Sequence, residues 1–396
     1  MTRGPRSREK IMNRSRRMDD ITSFIVMDVL EEAHGMERAG EDIVHLEVGE
    51  PDFAPPEAVV EASCRAAAGG CTHYTHSLGL VELREAISAW YLRTYGVTVD
   101  PGCVVVTPGT SGAFLSAMAV LMDPGEKIAF MDPGYPCYPN FARLLGLAPV
   151  TIPVDSEDGF VPRRERVLAA VKEGAGTLLV ASPANPTGTV LPGETLEWLA
   201  GLPVSLISDE IYHGLIYGGG HGHTALEYNP DVVVINGLSK RMAMTGLRIG
   251  WAVVPPGLVR EFQKLNQNLF ICADSVSQHA AVAALSDPSC EEAALRMRDT
   301  YAERRGVLLR GLERLGFVLH HEPEGAFYVF ADCTPFSRDS FEFTRRMLRE
   351  AKVAATPGVD FGRHRTSNFV RFAYTIDVAR IEEGLKRLSA WLGGRE

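Results

Sequence analysis

Seven short apolar runs mark the chain between residues 103 and 254, at 103–107, 127–131, 149–153, 177–181, 204–208, 232–236 and 248–254. Several are apolar at consecutive positions, as in Val104-Val105-Val106, a pattern that suits strands covered on both faces. Helical patterns at 112–121, 194–202 and 258–266 lie between them. This alternation predicts an α/β fold: a large domain built on a mainly parallel seven-stranded sheet. Past residue 290 the pattern changes. Residues 291–315 read as one long charged amphipathic helix with Leu295, Met297, Tyr301, Val307, Leu308 and Leu312 as its apolar members. A strand at 327–330, a helix at 340–350, a strand at 368–372 and a last helix at 378–392 make a smaller α+β domain. The expected division is a disordered basic tail (1–20), an arm packing on the small domain (21–50), a large domain (51–290) and a small one (291–396).

Charge and cysteine usage narrow the function classes. The 396 residues carry 40 Lys+Arg and 50 Asp+Glu, a net charge of −10, which disfavours nucleic acid or an anionic membrane as partner. No apolar run approaches the ~20 residues that span a bilayer. The basic start has no apolar segment behind it, and residues 21–27 are too short and too soon followed by Asp28 to read as a secretory signal. Seven scattered cysteines form no Cys-x-x-Cys and no Cys/His cluster, which points to a reducing cytoplasm and to no metal.

In an open parallel sheet, ligands sit beyond the carboxyl ends of the strands, so the residues following each run matter most. Thr107-Pro-Gly-Thr-Ser-Gly112 is a small-residue turn opening onto a helix, suited to a phosphate. Asp132-Pro-Gly-Tyr-Pro-Cys-Tyr-Pro139 presents Tyr135 and Tyr138 to a flat ligand. Ser182-Pro-Ala-Asn-Pro-Thr-Gly188 holds Asn185 between prolines. Asp209, in Ser208-Asp-Glu-Ile-Tyr212, is a carboxylate at a buried strand end and requires a partner. Lys240 and Arg248 follow the sixth run. A ligand that needs all of these is anionic at one end, planar, oxygen-bearing, basic at a ring nitrogen and reactive toward an amine. Pyridoxal phosphate meets each condition.

These motifs resemble the class I/II aminotransferases, fold type I pyridoxal-phosphate enzymes of the aspartate aminotransferase superfamily, over residues 20 to 392. Glu47-Val-Gly-Glu-Pro-Asp-Phe53, the segment 73–86, 182–188, 208–212, Ser239-Lys240, 244–248 and Val370-Arg371 carry the likeness. The resemblance implies Lys240 as the Schiff-base lysine, Asp209 on the ring nitrogen, and Asn185 and Tyr212 on the ring hydroxyl. It implies Thr110, Ser111, Ser239 and Arg248 on the phosphate, with Tyr74 joining from a partner subunit of a homodimer, and Tyr135 stacked on the ring. Arg371, helped by Gly49 and Asn185, would clamp the substrate carboxylate. Segments 325–328 and 357–362 are expected to be structural. The implied reaction moves an amino group between an L-amino acid and a 2-oxo acid.

Departures from the family pattern are Gly237 where many relatives have Ser, His76 for proline, and Leu247 for Trp. Ser111 stands where one aspartate-specific subgroup has a lysine, which weakens an aspartate assignment. Phe24, Ile25, Phe53 and Tyr138 are candidates for an apolar side-chain pocket, favouring a neutral or aromatic substrate. The competing readings are a pyridoxal-phosphate-dependent C–S β-lyase, then an aminocyclopropane-carboxylate-synthase-like activity, and a non-catalytic regulator of the same fold. The regulator is disfavoured because only about 20 residues precede the resemblance, too few for a DNA-binding domain.

Overall fold

The computed structural model describes residues 14–393. The expected disordered tail falls largely on residues 1–13, which lie outside the described residues; Arg16–Asp19 forms a 3-10 turn.

Strands β1 (Val44–His45), β2 (Val104–Pro108), β3 (Lys127–Asp132), β4 (Ala148–Pro153), β5 (Ala175–Ala181), β6 (Ser205–Asp209), β7 (Val233–Gly237) and β8 (Ile249–Val253) come first along the chain. Seven of these form the main sheet, in the order β2-β8-β7-β6-β5-β3-β4. Neighbours are parallel except where β8 runs antiparallel to both β2 and β7. The consecutive apolar runs have a direct cause. Val104 and Val106, Leu178 and Val180, and Leu206 face one helical layer. Val105, Leu179 and Ile207 face the other. In this sheet, buried on both faces, charged side chains occur only at the strand ends, as Lys127, Asp132 and Asp209.

The C-terminal unit packs a three-stranded antiparallel sheet under helices. Its strands are β9 (Tyr328–Asp332), β11 (Thr356–Pro357) and β12 (Phe369–Ala373), ordered β11-β12-β9. The remaining strand, β10 (Val353–Ala354), pairs in parallel with β1, so the segment before residue 50 joins this core. The long helix runs Pro288–Leu315, three residues further N-terminal than the apolar pattern predicts. Asp287 caps it by accepting from Ser289 N, Pro288 occupies the first turn, and Gly316 ends it at φ +96°. The helix expected at 340–350 is α-helical only over Ser340–Arg346, then widens to a π turn over Met347–Ala351, stopped by Lys352 at φ +59°. Among the described residues, no helix is long and apolar enough to cross a membrane.

Candidate active site

The carboxyl ends of the main-sheet strands open into one cavity of about 280 Å³, shared with the C-terminal unit and with the arm entering the helix Ile25–Arg38. The residues that the resemblance assigned to cofactor and substrate line it, except Tyr74, which is 78% exposed.

One end is built for an anion. The helix Gly109–Leu121 starts as β2 ends, and the N–H groups of its first turn, at Thr110 and Ser111, have no partner within the helix. Gly109 is at φ +70°, and a Cβ there would lie 2.5 Å from Arg248 Nη2, so glycine alone allows the guanidinium this close. Arg248, itself at φ +51°, is braced by Nη1 donating to Thr245 O at 2.9 Å, and Ser239 completes the lining.

At the floor, Asp209 ends β6 and is 5% exposed. Burial pushes its acid up to about 6, against the Tyr138 hydroxyl, the Ile211 N–H and the Lys240 ammonium, which favour the charged form. Ile211 N donates to Oδ1 at 3.1 Å, and the Tyr138 hydroxyl donates to Oδ2. Lys240 Nζ donates to Gly49 O at 2.7 Å. Burial brings the Lys240 ammonium down to about 8, with Glu50 working in the opposite sense. The Tyr135 ring stands edge-on to Phe24 at 5.9 Å and to Tyr138 at 5.2 Å.

At the far end lies Arg371, on β12 and 2% exposed. Its Nη1 donates to Asn185 Oδ1 at 3.0 Å; its Nη2 donates to Glu47 O at 2.5 Å and to Thr356 Oγ1 at 3.2 Å. The guanidinium lies 4.3 Å from the Tyr328 ring centre and 4.7 Å from that of Phe361. Its Nε has no partner. A buried cation with a spare donor and, among the described residues, no ion-paired carboxylate is a site for an incoming anion. Tyr212 and Tyr328 share a hydrogen bond between their hydroxyls at 2.8 Å. Anion cradle, aromatic plate, buried carboxylate, tempered amine and unpaired guanidinium thus fit the phosphate, ring, ring nitrogen and aldehyde of pyridoxal phosphate and the carboxylate of an amino acid.

The chain matches the family described as aminotransferase class I and II over residues 41–388. It belongs to that family. It is similar to a valine–pyruvate aminotransferase of Mycobacterium tuberculosis, 41% identical over 94% of this chain and 97% of the relative. It is also similar to an aspartate/prephenate aminotransferase of Thermus thermophilus, 37% identical over 96% and 98%. Among solved structures, an aminotransferase from Mycobacterium tuberculosis superposes with a TM-score of 0.93 at 40% identity, covering 97% of this chain and all of that one. The Thermus thermophilus aspartate aminotransferase with maleate gives 0.91 at 35% identity, covering 96% and 100%. This aminotransferase therefore has the aspartate aminotransferase-like fold, uses pyridoxal phosphate, and acts on amino and 2-oxo acids.

Several sequence expectations need correction. Tyr138 lines the cavity, but its hydroxyl is turned to Asp209 instead of forming part of a side-chain pocket. Phe53 is packed away, edge-on to Tyr301 at 5.3 Å and beneath Arg304 at 5.1 Å. Ile25 is not part of the lining, which the arm supplies through Phe24, Val26 and Met27. The helix begins at Ile25, and its ~100° per residue rotates that side chain off the cavity face. Tyr328, grouped with structural residues in the sequence, lies on the cavity wall against Arg371. The missing hydroxyl at Gly237 has a packing cause, since a Cβ there would lie 3.1 Å from Ile249 O and 3.2 Å from Ile211 Cδ1. Asp360 escaped sequence reasoning altogether. Its carboxylate accepts from Ile25 N at 3.0 Å and Val26 N at 3.2 Å, anchoring the arm beside Phe361.

Proposed function

We propose that this aminotransferase transfers the amino group of a neutral L-amino acid, aliphatic or aromatic in its side chain, to a 2-oxo acid. The observation that carries this is the convergence of Lys240, Asp209 and Arg371 on one cavity whose outer wall is Phe24, Val26 and Met27. Ser111 adds no charge to that wall, and an apolar wall agrees with the aliphatic donor in the name of the Mycobacterium tuberculosis relative.

When bound, pyridoxal phosphate supplies a carbonyl carbon that condenses with amines and a ring that withdraws electrons from the substrate Cα. The protein's part is to bind and to move protons. Asp209 faces the ring nitrogen as a carboxylate and keeps it protonated. Asn185 and Tyr212 donate to the ring hydroxyl oxygen. Thr110, Ser111, Ser239 and Arg248 hold the phosphate, and Tyr135 covers the ring. Arg371 pairs with the substrate carboxylate, with Asn185 and the Gly49 backbone beside it, so that the Cα–H bond is held in a fixed orientation. Lys240 Nζ would hold the cofactor's carbonyl carbon and, as a neutral amine, would take the substrate Cα proton. An amine with a pKa of about 8 keeps a useful neutral fraction near pH 7.5.

The working unit in this reading is a cytoplasmic homodimer. The exposed Tyr74, with Leu269 and Ile271 also exposed, supports a second subunit bringing its tyrosine to the phosphate. An arm (21–50), a large domain (51–290) and a small domain (291–396) are the division that accompanies it.

Borohydride reduction of the cofactor-saturated protein followed by peptide mapping tests the anchor, and the cofactor mass is expected on the peptide containing Lys240. A cofactor found on another lysine overturns the assignment. A donor screen scored by pyridoxamine phosphate formation tests the substrate class, with aliphatic and aromatic donors expected above aspartate. Pyruvate and ammonia released from cysteine conjugates without any oxo acid, at rates above transamination, would make the protein a lyase instead.

A further inference from the structure

Tyr138 has no part in the roles above, yet it is 4% exposed and its hydroxyl is spent on a single acceptor, Asp209 Oδ2. Its ring is stacked on Phe130 at 6.0 Å and 16°, and packed against Phe114 at 5.1 Å and Tyr135 at 5.2 Å. A two-torsion side chain clamped by three rings delivers its hydroxyl to one place. The helix Cys137–Leu144 begins just after Tyr135, so one turn carries the ring that borders the cavity and, three residues on, the donor beneath it.

We propose that Tyr138 is a positioning residue that keeps the Asp209 carboxylate ionised and turned toward the cofactor's ring nitrogen. This rests on the reading of Asp209 given above and extends it to the group behind it. Burial favours the neutral acid, and a phenol that donates to the carboxylate favours the anion through a charge-assisted hydrogen bond. The remaining groups facing Asp209 are few. From the chain just after β6 comes the Ile211 N–H on Oδ1, with the Glu210 acid next to it; from the loop after β7 comes Lys240; and from the segment before the helix comes Tyr135. Glu210, next in sequence, has its own acid raised by burial and is bonded instead to Ser208, Thr224 and Ala225. Burial also raises Tyr138 well above the usual phenol range, so it stays a donor at any working pH.

Tyr138→Phe removes the oxygen and keeps the ring. Apoprotein carrying it is expected to bind pyridoxal phosphate about tenfold more weakly, the usual worth of a hydrogen bond to a charged group. The acid-side midpoint of the bound cofactor's absorbance is expected to rise by about one pH unit. In an Asp209→Asn background the same change should move neither reading. 3-Fluorotyrosine placed at position 138 is the second variant; it preserves the shape, strengthens the donor, and should move the midpoint to lower pH. Wild-type affinity and midpoint in Tyr138→Phe, or a fluorotyrosine protein unmoved, would assign the residue to packing alone. A wild-type protein that carries no cofactor on Lys240 would instead bring down the reading of the site, a separate outcome seen before either variant is made.

Discussion

Asn185 gives its side-chain oxygen to Arg371, accepting from Nη1 at 3.0 Å. The bond fixes which way the amide points, with its N–H₂ group directed away from the guanidinium. One short contact thus sets Asn185 and Arg371 relative to each other.

Arg371→Lys keeps the charge but loses the planar fork that a carboxylate pairs with. It is expected to lower kcat/KM for the amino donor by about 100-fold while leaving the cofactor's absorbance intact. Asn185→Ala should disturb both, raising KM and shifting the cofactor spectrum. Steady-state kinetics beside absorbance spectra check this, and a spectral change in Arg371→Lys alone would contradict it.

A Cβ at Gly49 would overlap the Tyr328 hydroxyl, with ring carbons at 2.6 and 2.8 Å behind it. Gly49→Ala is therefore expected to cost about 1–3 kcal/mol of stability, as overpacking does. Adding Tyr328→Phe removes the nearest colliding atom and should return part of that loss. Thermal unfolding of both single variants and the double variant measures the coupling, and additive effects would mean that the 49–53 loop moves aside without resistance.

Glu210 is 0% exposed, and burial raises its acid to about 8. In the unfolded chain the same group ionises near 4.5. Between these values the native state holds a proton that the unfolded state has released, so this group's contribution to stability falls as pH rises from about 4.5 to 8. Glu210→Gln mimics the protonated form and still accepts from Ala225 N and Thr224 Oγ1 through its remaining oxygen. Its Tm relative to wild type should climb across that window and level off above it. A difference that stays flat with pH would show that Glu210 is ionised in the native protein.

Much of this site is legible in the sequence because the main sheet is buried on both faces. Charged side chains are excluded along the strand interiors, so Asp209 and Lys240, with Asn185 between its prolines, stand out where the runs stop. The parts that were not legible depend on long-range contacts. Tyr138 meets Asp209 across 71 residues and Tyr212 meets Tyr328 across 116; no local pattern says which face of a ring will be used or what its hydroxyl will find. Phe53 and Ile25 mislead for the same reason, since apolar character alone does not separate a cavity wall from the core beneath Arg304. Pro288 was missed as the helix start because its signal is the cap at Asp287 and not an apolar residue.

The reversed direction of β8 has a bearing on how this scaffold tolerates change. Every parallel strand hands its polar cargo over at its finish, whereas β8 must hand over Arg248 before it begins. Lys240 and Arg248 consequently sit on a single excursion, 238–248, that leaves the sheet after β7 and re-enters it without crossing to the opposite rim. Lys240 and Arg248 are thus tethered to each other by eight peptide links. An insertion in that excursion would put both out of step with the rest of the site at once, whereas insertions on the opposite rim of the sheet would leave their spacing untouched.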